Sequence, residues 1–170
     1  MRVYLGVDPG LTLGFGVVKE DRGRLTCLAY GAIRTRHDRS RSMRADVDAR
    51  LAEITDRLDE LLLIYSPDRI GIEEFRFYRQ NVTSSIKLGN VLGALKTLFR
   101  ERGIPYTEFS AQELKVAVTG YRNAAKDQVQ RMVRHILRLD DVPRPQHAAD
   151  ALAAAIAVSH RNGFGGEAPV

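Results

Sequence analysis

The N-terminal segment constrains the fold more than any other part of this chain. An apolar run rich in β-branched residues leads into an Asp-Pro-Gly turn at residues 8–10, and a second apolar run, Phe15 to Val18, follows closely. Two such runs on either side of a turn predict a β-hairpin. Alternation along the first strand places Gly6 and Asp8 on one face, and we expect the glycine to leave open space beside the acid.

Asp8 ends this strand, where a buried charge is costly unless it is paired or binds a metal ion. Asp also often begins turns, so this stretch alone is equally compatible with a turn-forming role. A second strand, ending Gly71-Ile72-Glu73, has the same Gly-x-acid pattern. If the two strands are parallel neighbours, their carboxylates lie close together, and such a pair needs a cation or the protonation of one acid.

His147 and Asp150 are three residues apart, which places them on one face of a helix. Carboxylates with one imidazole suit a hard divalent ion such as Mg²⁺ or Mn²⁺. Each residue also has an ordinary structural explanation: Glu73 as a surface charge beside Glu74, Asp150 as a partner of the helix dipole, and His147 as a packed side chain. Their joint occurrence at the ends of three elements favours a metal site.

Composition limits the class of protein. The 170 residues, 44% hydrophobic and 28% charged, are typical of one soluble globular domain. No run approaches the roughly 20 apolar residues of a membrane span. The first residues enter a strand, so we expect no signal peptide, and the single cysteine, Cys27, excludes an intramolecular disulfide and a Cys-based zinc site. We therefore expect a cytoplasmic protein with no membrane partner, and the net charge of +5 modestly favours a nucleic acid partner.

The rest of the chain alternates strands with helices. We predict strands at 24–35, 69–73 and 104–109, a helix from Met43 to Tyr65, a helix capped by Thr83 or Ser84 that ends near Gly103, a short helix capped by Ser110, and helices at about 125–137 and 146–160. A basic stretch from Arg34 to Arg44 predicts a loop that runs into the first helix. This order predicts a single α/β domain with a mixed sheet, followed by a frayed tail from Asn162.

The helix that starts near Ser84 contains Gly89 and Gly93. Glycine inside a helix costs about 1 kcal/mol relative to alanine, so two glycines four residues apart need a reason. One reason is close approach of another backbone. The sequence leaves open whether that backbone is the sheet beneath the helix or a partner helix across a two-fold axis.

The motifs resemble those of the RuvC-type Holliday-junction resolvases, which belong to the ribonuclease-H-like superfamily. Each motif is weak alone, but together they occur in the family's order from residue 3 to about 160. They are Gly6-Val-Asp8-Pro-Gly10 with Gly14 and Gly16, Ile72-Glu73 with Asn81 and Lys87-Leu-Gly89, Gln112-Glu-Leu-Lys115, Gly120, Ala125 to Arg134, and His147-Ala-Ala-Asp150-Ala-Leu152-Ala. The resemblance implies a ribonuclease-H-like mixed β-sheet with helices on both faces, formed by residues 1–161, with residues 162–170 as a disordered tail.

By this resemblance Asp8, Glu73, His147 and Asp150 are the metal-binding and catalytic residues. Many family members carry Asp at the position of His147 and others carry His, so we expect the histidine to be tolerated although it lowers the negative charge of the site. Two Mg²⁺ ions about 4 Å apart, or Mn²⁺ in their place, would activate a water and stabilise the leaving oxygen. Asp8 would bridge both ions. The resemblance also implies catalytic lysines near the scissile phosphate, Lys115 and Lys126.

The resemblance further implies DNA contacts. Family members present an aromatic residue to the bases of the junction just after the catalytic Glu, and here Arg76 lies near that place between Phe75 and Phe77. Which aromatic stacks is open, and both phenylalanines are also compatible with the core or a dimer interface. The expected DNA-binding residues are Phe75, Arg76, Phe77, Tyr78, Arg79, Lys87, Lys115, Arg122 and Lys126.

The implied function is structure-selective cleavage of Holliday junctions in homologous recombination and DNA repair. Symmetric nicks with 5′-phosphate and 3′-hydroxyl ends require a homodimer, and family analogy adds a branch-migration motor of the RuvA–RuvB type. One alternative is an ATP-binding protein of the actin and sugar-kinase superfamily, but these generally need two domains, more than 170 residues hold. Another is a catalytically silent nucleic-acid-binding module, which would not need all four candidate ligands.

Overall fold

The computed structural model describes residues 1–74 and 82–163. Its strands are β1 (Arg2–Asp8), β2 (Thr12–Asp21), β3 (Arg24–Arg34), β4 (Arg69–Glu73) and β5 (Tyr106–Phe109). Its helices are α1 (Met43–Tyr65), α2 (Val82–Glu101), α3 (Ala111–Thr119), α4 (Lys126–Leu137) and α5 (Gln146–Gly163). The predicted order, a meander followed by alternating helices and strands, is confirmed.

The five strands form one mixed sheet in the order β3-β2-β1-β4-β5. The β1–β2 and β2–β3 pairs are antiparallel, whereas β1–β4 and β4–β5 are parallel. Gly6 lies opposite Gly71, and Val7 lies opposite Ile72. Because parallel strands end at the same edge of a sheet, this register brings the last residues of β1 and β4 side by side.

Helices cover both faces of the sheet, as predicted. Helices α1 and α2 pack on one face around buried Leu5, Val7, Ile70 and Ile72 of the central strands. Helix α5 covers the other face, and its buried side chains pack with those of α3 and α4. Within the described ranges, no helix is long and apolar enough to cross a bilayer.

Helix α5 packs with its backbone directly on the sheet. A methyl group added at Gly6 would lie 1.8 Å from the carbonyl oxygen of Ala151, and one added at Gly71 would lie 2.3 Å from that of Ala154. The space beside Asp8 that we expected to be open is therefore filled by α5. The absence of side chains at these positions allows the helix to approach this closely.

Most element boundaries agree with the predictions, and their caps explain why. Helix α1 ends at Ser66, which has a φ of 44° and donates its N–H to Leu62 O. Ser110 forms a capping box with Glu113 at the start of α3.

Three predicted boundaries differ from the structure. Helix α2 begins at Val82, so the predicted cap at Thr83 or Ser84 is wrong, because both residues lie inside the helix. Strand β5 begins at Tyr106 rather than Ile104, whose N–H is donated to the carbonyl of Phe99 at the end of α2. Helix α5 continues to Gly163, into the segment predicted as a tail, and residues 164–170 lie outside the described chain.

Candidate active site

Three carboxylates meet at the edge of the sheet where β1 and β4 end. Asp8 is the last residue of β1, Glu73 is the last residue of β4, and Asp150 lies near the start of α5. All three are partly buried, and one oxygen from each lies within 4.8 Å of the others. The sequence predicted that these acids meet, and the structure brings them together.

The local sequence explains how the third acid reaches the first two. Parallel pairing of β1 with β4 aligns Asp8 and Glu73, whereas Asp150 arrives from the face above the sheet. It can do so because Gly6 and Gly71, two residues before each strand-end acid, have no side chains to hold α5 away.

His147 lies one helical turn before Asp150 and contacts the same centre from its exposed side. Its Nδ1 atom is 2.6 Å from an Oδ2 atom of Asp8. It does not belong to the compact group of three carboxylates but joins it through Asp8. A methyl group at Gly14 would lie 2.1 Å from the carbonyl oxygen of His147, so Gly14 is the position at which the first turn of α5 rests on β2.

The electrostatics of the centre favour a bound cation. Burial, and after it the charges of Asp8 and Asp150, raise the pKa of Glu73 to about 7. Burial also raises the pKa of Asp8, although the contact with His147 opposes the shift. Crowded, partly buried carboxylates that resist ionisation are stabilised as anions by a divalent cation with oxygen ligands. The donor set therefore fits the ions that the sequence predicted.

Both predicted lysines lie beside the carboxylates. Lys126, the first residue of α4, places its Nζ 3.0 Å from an Oδ2 atom of Asp150. Lys115 of α3 and Lys126 line a cavity of about 170 Å³ together with Glu73 and Asp150, and Leu114 forms part of its apolar wall. A small cavity lined by two carboxylates and two lysines suits a phosphate together with divalent ions.

Two other predicted DNA contacts, Arg122 and Lys87, do not line this cavity. Arg122, in the α3–α4 connection, donates two hydrogen bonds to Gln112 Oε1, at 2.6 and 3.1 Å. Lys87 of α2 lines a different groove, which α2 forms with α1. The predicted aromatic loop, Phe75, Arg76, Phe77, Tyr78 and Arg79, lies outside the described residues.

Sequence reasoning missed the direct contact of His147 with Asp8 and the number of sheet glycines that pack against α5. Gly14 of β2 contacts the backbone of α5 as closely as Gly6 and Gly71 do, and a methyl group added at Gly16 would lie 2.6 Å from the side chain of Leu152. The signal was present in the alternate spacing of these glycines and in the many alanines of α5, which are buried at Ala148, Ala149, Ala151, Ala153, Ala154, Ala155 and Ala157. Small residues on both surfaces indicate a helix that packs on a sheet at short range.

Comparison with known proteins identifies the family. The family model described as crossover junction endodeoxyribonuclease RuvC matches residues 4–160. The RuvC of Heliobacterium modesticaldum is 37% identical over 159 residues, which cover 93% of this chain and 94% of the relative. The RuvC of Caldanaerobacter subterraneus is 39% identical over 163 residues, which cover 95% of this chain and 94% of the relative.

Solved structures give the same result. The structure of T. thermophilus RuvC in complex with a Holliday junction substrate superposes with a TM-score of 0.82 at 33% identity and covers 96% of each chain. The yeast mitochondrial resolvase Ydc2, at 12% identity and a TM-score of 0.62, covers 95% of this chain and 83% of its own, which shows agreement of the fold alone. The predicted ribonuclease-H-like fold is confirmed, and this chain belongs to the RuvC family of crossover junction endodeoxyribonucleases.

Proposed function

We propose that this protein resolves four-way DNA junctions by hydrolysing one phosphodiester bond at the carboxylate centre of each of two protomers. The observation that carries the proposal is the group of three partly buried carboxylates, Asp8, Glu73 and Asp150, beside a cavity that also contains Lys115 and Lys126. Membership of the RuvC family supports the choice of a junction as the substrate.

Asp8, Glu73 and Asp150 would hold the metal ions, and His147 lies beside Asp8 at the edge of the site. Their oxygen-rich donor set suits Mg²⁺, and Mn²⁺ can substitute. Two such ions, when bound, supply an activated water and stabilise the leaving oxygen. The Nδ1 atom of His147 lies 2.6 Å from Asp8 and so orients that carboxylate. In this role His147 does not need to replace an acidic metal ligand.

Lys115 and Lys126 bind the scissile phosphate. Both line the cavity of about 170 Å³ that Glu73 and Asp150 also line, which supports this assignment. The ion pair between Lys126 and Asp150 keeps the ammonium group at the centre before DNA binds. When a phosphate enters the cavity, both lysines can donate hydrogen bonds to its non-bridging oxygens.

A homodimer follows from the symmetry of the substrate, because one centre cuts one strand. The exposed face of α2 is a suitable interface. Val82 and Ile86 are exposed there, and methyl groups added at Gly89 or Gly93 would contact none of the described residues within 4 Å. Of the two explanations for these glycines, this openness favours a partner helix over the sheet beneath. Two chains would carry a net charge of 5 + 5 = +10, which favours binding to DNA.

Family membership extends the proposal to the cellular process. We infer a role in homologous recombination and DNA repair, in the cytoplasm, together with a branch-migration motor of the RuvA–RuvB type.

The proposal is tested by offering the purified protein a synthetic four-way junction and a duplex of matched sequence, each with Mg²⁺, with Mn²⁺ or with EDTA. We expect symmetric, ligatable nicks in the junction when a metal ion is present, and little cleavage of the duplex. Equal cleavage of both substrates would contradict junction selectivity. Junction binding without cleavage under every condition would instead support the silent binding module.

A further inference from the structure

The connection between β3 and α1, residues 35–42, is a basic loop with a defined conformation. Asp46, a buried residue in the first turn of α1, accepts a hydrogen bond of 2.7 Å from Asp38 N and lies 2.8 Å from Nδ1 of His37. Asp38 in turn accepts hydrogen bonds from Ser40 N and Oγ, and its other oxygen contacts Nε of Arg41 at 3.0 Å. These contacts hold the loop against the start of α1.

The same loop is attached to the turn that follows Asp8. Thr35 Oγ1 donates a hydrogen bond of 2.8 Å to the carbonyl of Leu11, and Arg50 Nε donates one of 2.7 Å to Thr35 Oγ1. Arg50 also reaches Leu11 O at 3.4 Å and Asp46 at 3.7 Å. Hydrogen bonds therefore join the basic loop to the turn that contains Leu11.

The loop carries positive charge that has no partner in the described part of the chain. Arg36 and Arg39 are exposed, and neither forms an ion pair with a described carboxylate, whereas exposed Arg57 and Arg131 pair with acids on their own helices. Strand β3 runs parallel to β1, since both are antiparallel to β2, so the loop leaves the sheet at the edge where Asp8 lies.

We propose that Arg36 and Arg39 bind backbone phosphates of the DNA beside the cleavage site. This inference rests on the proposed function, because it takes the junction as the ligand. Phosphate contacts fix the position and orientation of DNA without reading its sequence. Because the loop is bonded to the Leu11 turn, a phosphate held by the loop has a fixed offset from Asp8. The loop thus aligns the strand that the centre cuts.

The test compares two double variants of equal charge. Arg36→Ala with Arg39→Ala removes the loop cations, and Arg2→Ala with Arg24→Ala removes two exposed cations at the opposite end of the sheet. Junction affinity is measured without divalent metal over a range of salt concentrations, and thermal unfolding checks the fold. We expect the loop variant to bind on the order of tenfold more weakly at about 0.1 M salt, with the slope of log K against log salt reduced by about 2 per chain.

The control variant should change affinity by less than about twofold, and Arg36→Lys with Arg39→Lys should restore the salt slope. An unchanged slope in the loop variant, or an equal loss in both alanine variants, would overturn the inference. Cleavage of the same junction by the unaltered protein separates the two hypotheses. If the unaltered protein cuts the junction and the loop variant binds it as tightly as the unaltered protein does, only this inference fails. If the unaltered protein does not cut the junction, the proposed function fails, whatever the salt slopes show.

Discussion

The backbone of α5 contacts the backbone of β1 at Gly6 and Ala151, where an added methyl group would lie 1.8 Å from the carbonyl oxygen. This contact sets the distance between the helix that carries Asp150 and the strand that carries Asp8. Since the three carboxylates lie within 4.8 Å of one another, a small outward shift of α5 would open the centre.

Substitution Gly6→Ala should therefore damage both stability and cleavage. The methyl group meets helix backbone, which cannot move aside alone, so we expect a loss of about 3 kcal/mol or more in the free energy of unfolding. Glu60→Ala, on the exposed surface of α1, is the control and should change the free energy of unfolding by less than about 0.5 kcal/mol. Urea unfolding measures both; equal stability of the two variants would contradict the close packing of α5.

Asp8→Asn should abolish cleavage while junction binding survives. Affinity comes chiefly from lysine and arginine contacts to phosphate, whereas the centre loses a ligand charge. We expect cleavage in Mg²⁺ to fall on the order of 10³-fold, because metal-ion stabilisation of the transition state is worth several kcal/mol. Asp56→Asn, on the exposed surface of α1, is the control and should cut normally. Cleavage by Asp8→Asn near the unaltered rate would refute the metal assignment.

Without metal ions, Glu73 should make the protein less stable as the pH rises. The pKa of Glu73 is about 7 in the folded protein, whereas the ordinary pKa of a glutamate side chain is 4.5. The folded state therefore binds more protons between these values, and stability falls with pH across this window by up to about 3 kcal/mol. In EDTA, Glu73→Gln should show a smaller fall in urea-unfolding free energy from pH 5 to pH 7.5, by a similar amount.

Metal ions should reverse this effect. At the upper end of the pH window, Mg²⁺ should stabilise the unaltered protein and stabilise Glu73→Gln much less, because binding to the folded state alone raises the free energy of unfolding. If the free energy of unfolding in EDTA changed identically with pH in the unaltered protein and in Glu73→Gln, Glu73 would not be the group that titrates.

Gly93→Leu should weaken dimerisation without lowering the melting temperature of the fold. A methyl group added at Gly93 would meet no atom of the described residues within 4 Å, so we expect the main cost of a larger side chain to arise at a partner. Sedimentation velocity with and without the substitution measures the effect. Lys96→Leu, also on α2 but paired with Glu108 of β5, controls for added leucine. A Gly93→Leu variant that remains dimeric would place the interface elsewhere.

Phe77→Ala, in the segment outside the described residues, should retain the fold and junction binding but lose most cleavage. An aromatic that stacks on an opened base contributes about 1–3 kcal/mol per base, which this variant would lose at the cleavage step. A junction with unpaired bases at its centre should restore much of the activity. Failure of that rescue in a folded variant would leave core or interface packing as the role of Phe77.

Local sequence patterns were enough to predict most of the helices and strands and their functionally important ends. Strands that stop at Asp8 and Glu73, the helix that contains His147 and Asp150, and the cap at Ser110 all follow from local patterns of apolar residues, turns and caps. Such patterns act over a few residues, so they can be recognised in the sequence without knowledge of the fold. The start of α2 could not be predicted in this way, because Thr83 and Ser84 are typical N-cap residues yet lie inside the helix.

The roles of the glycines and the electrostatics of the site depend on the three-dimensional arrangement of the chain. The sequence suggested open space at Gly6, but α5 fills it, because close packing of a small-residue helix depends on which surface meets the sheet. The pairing of His147 with Asp8 joins residues 139 apart, and the raised pKa of Glu73 comes from burial and from two acids on other elements. These properties arise from desolvation and distance in three dimensions, which no local spacing encodes.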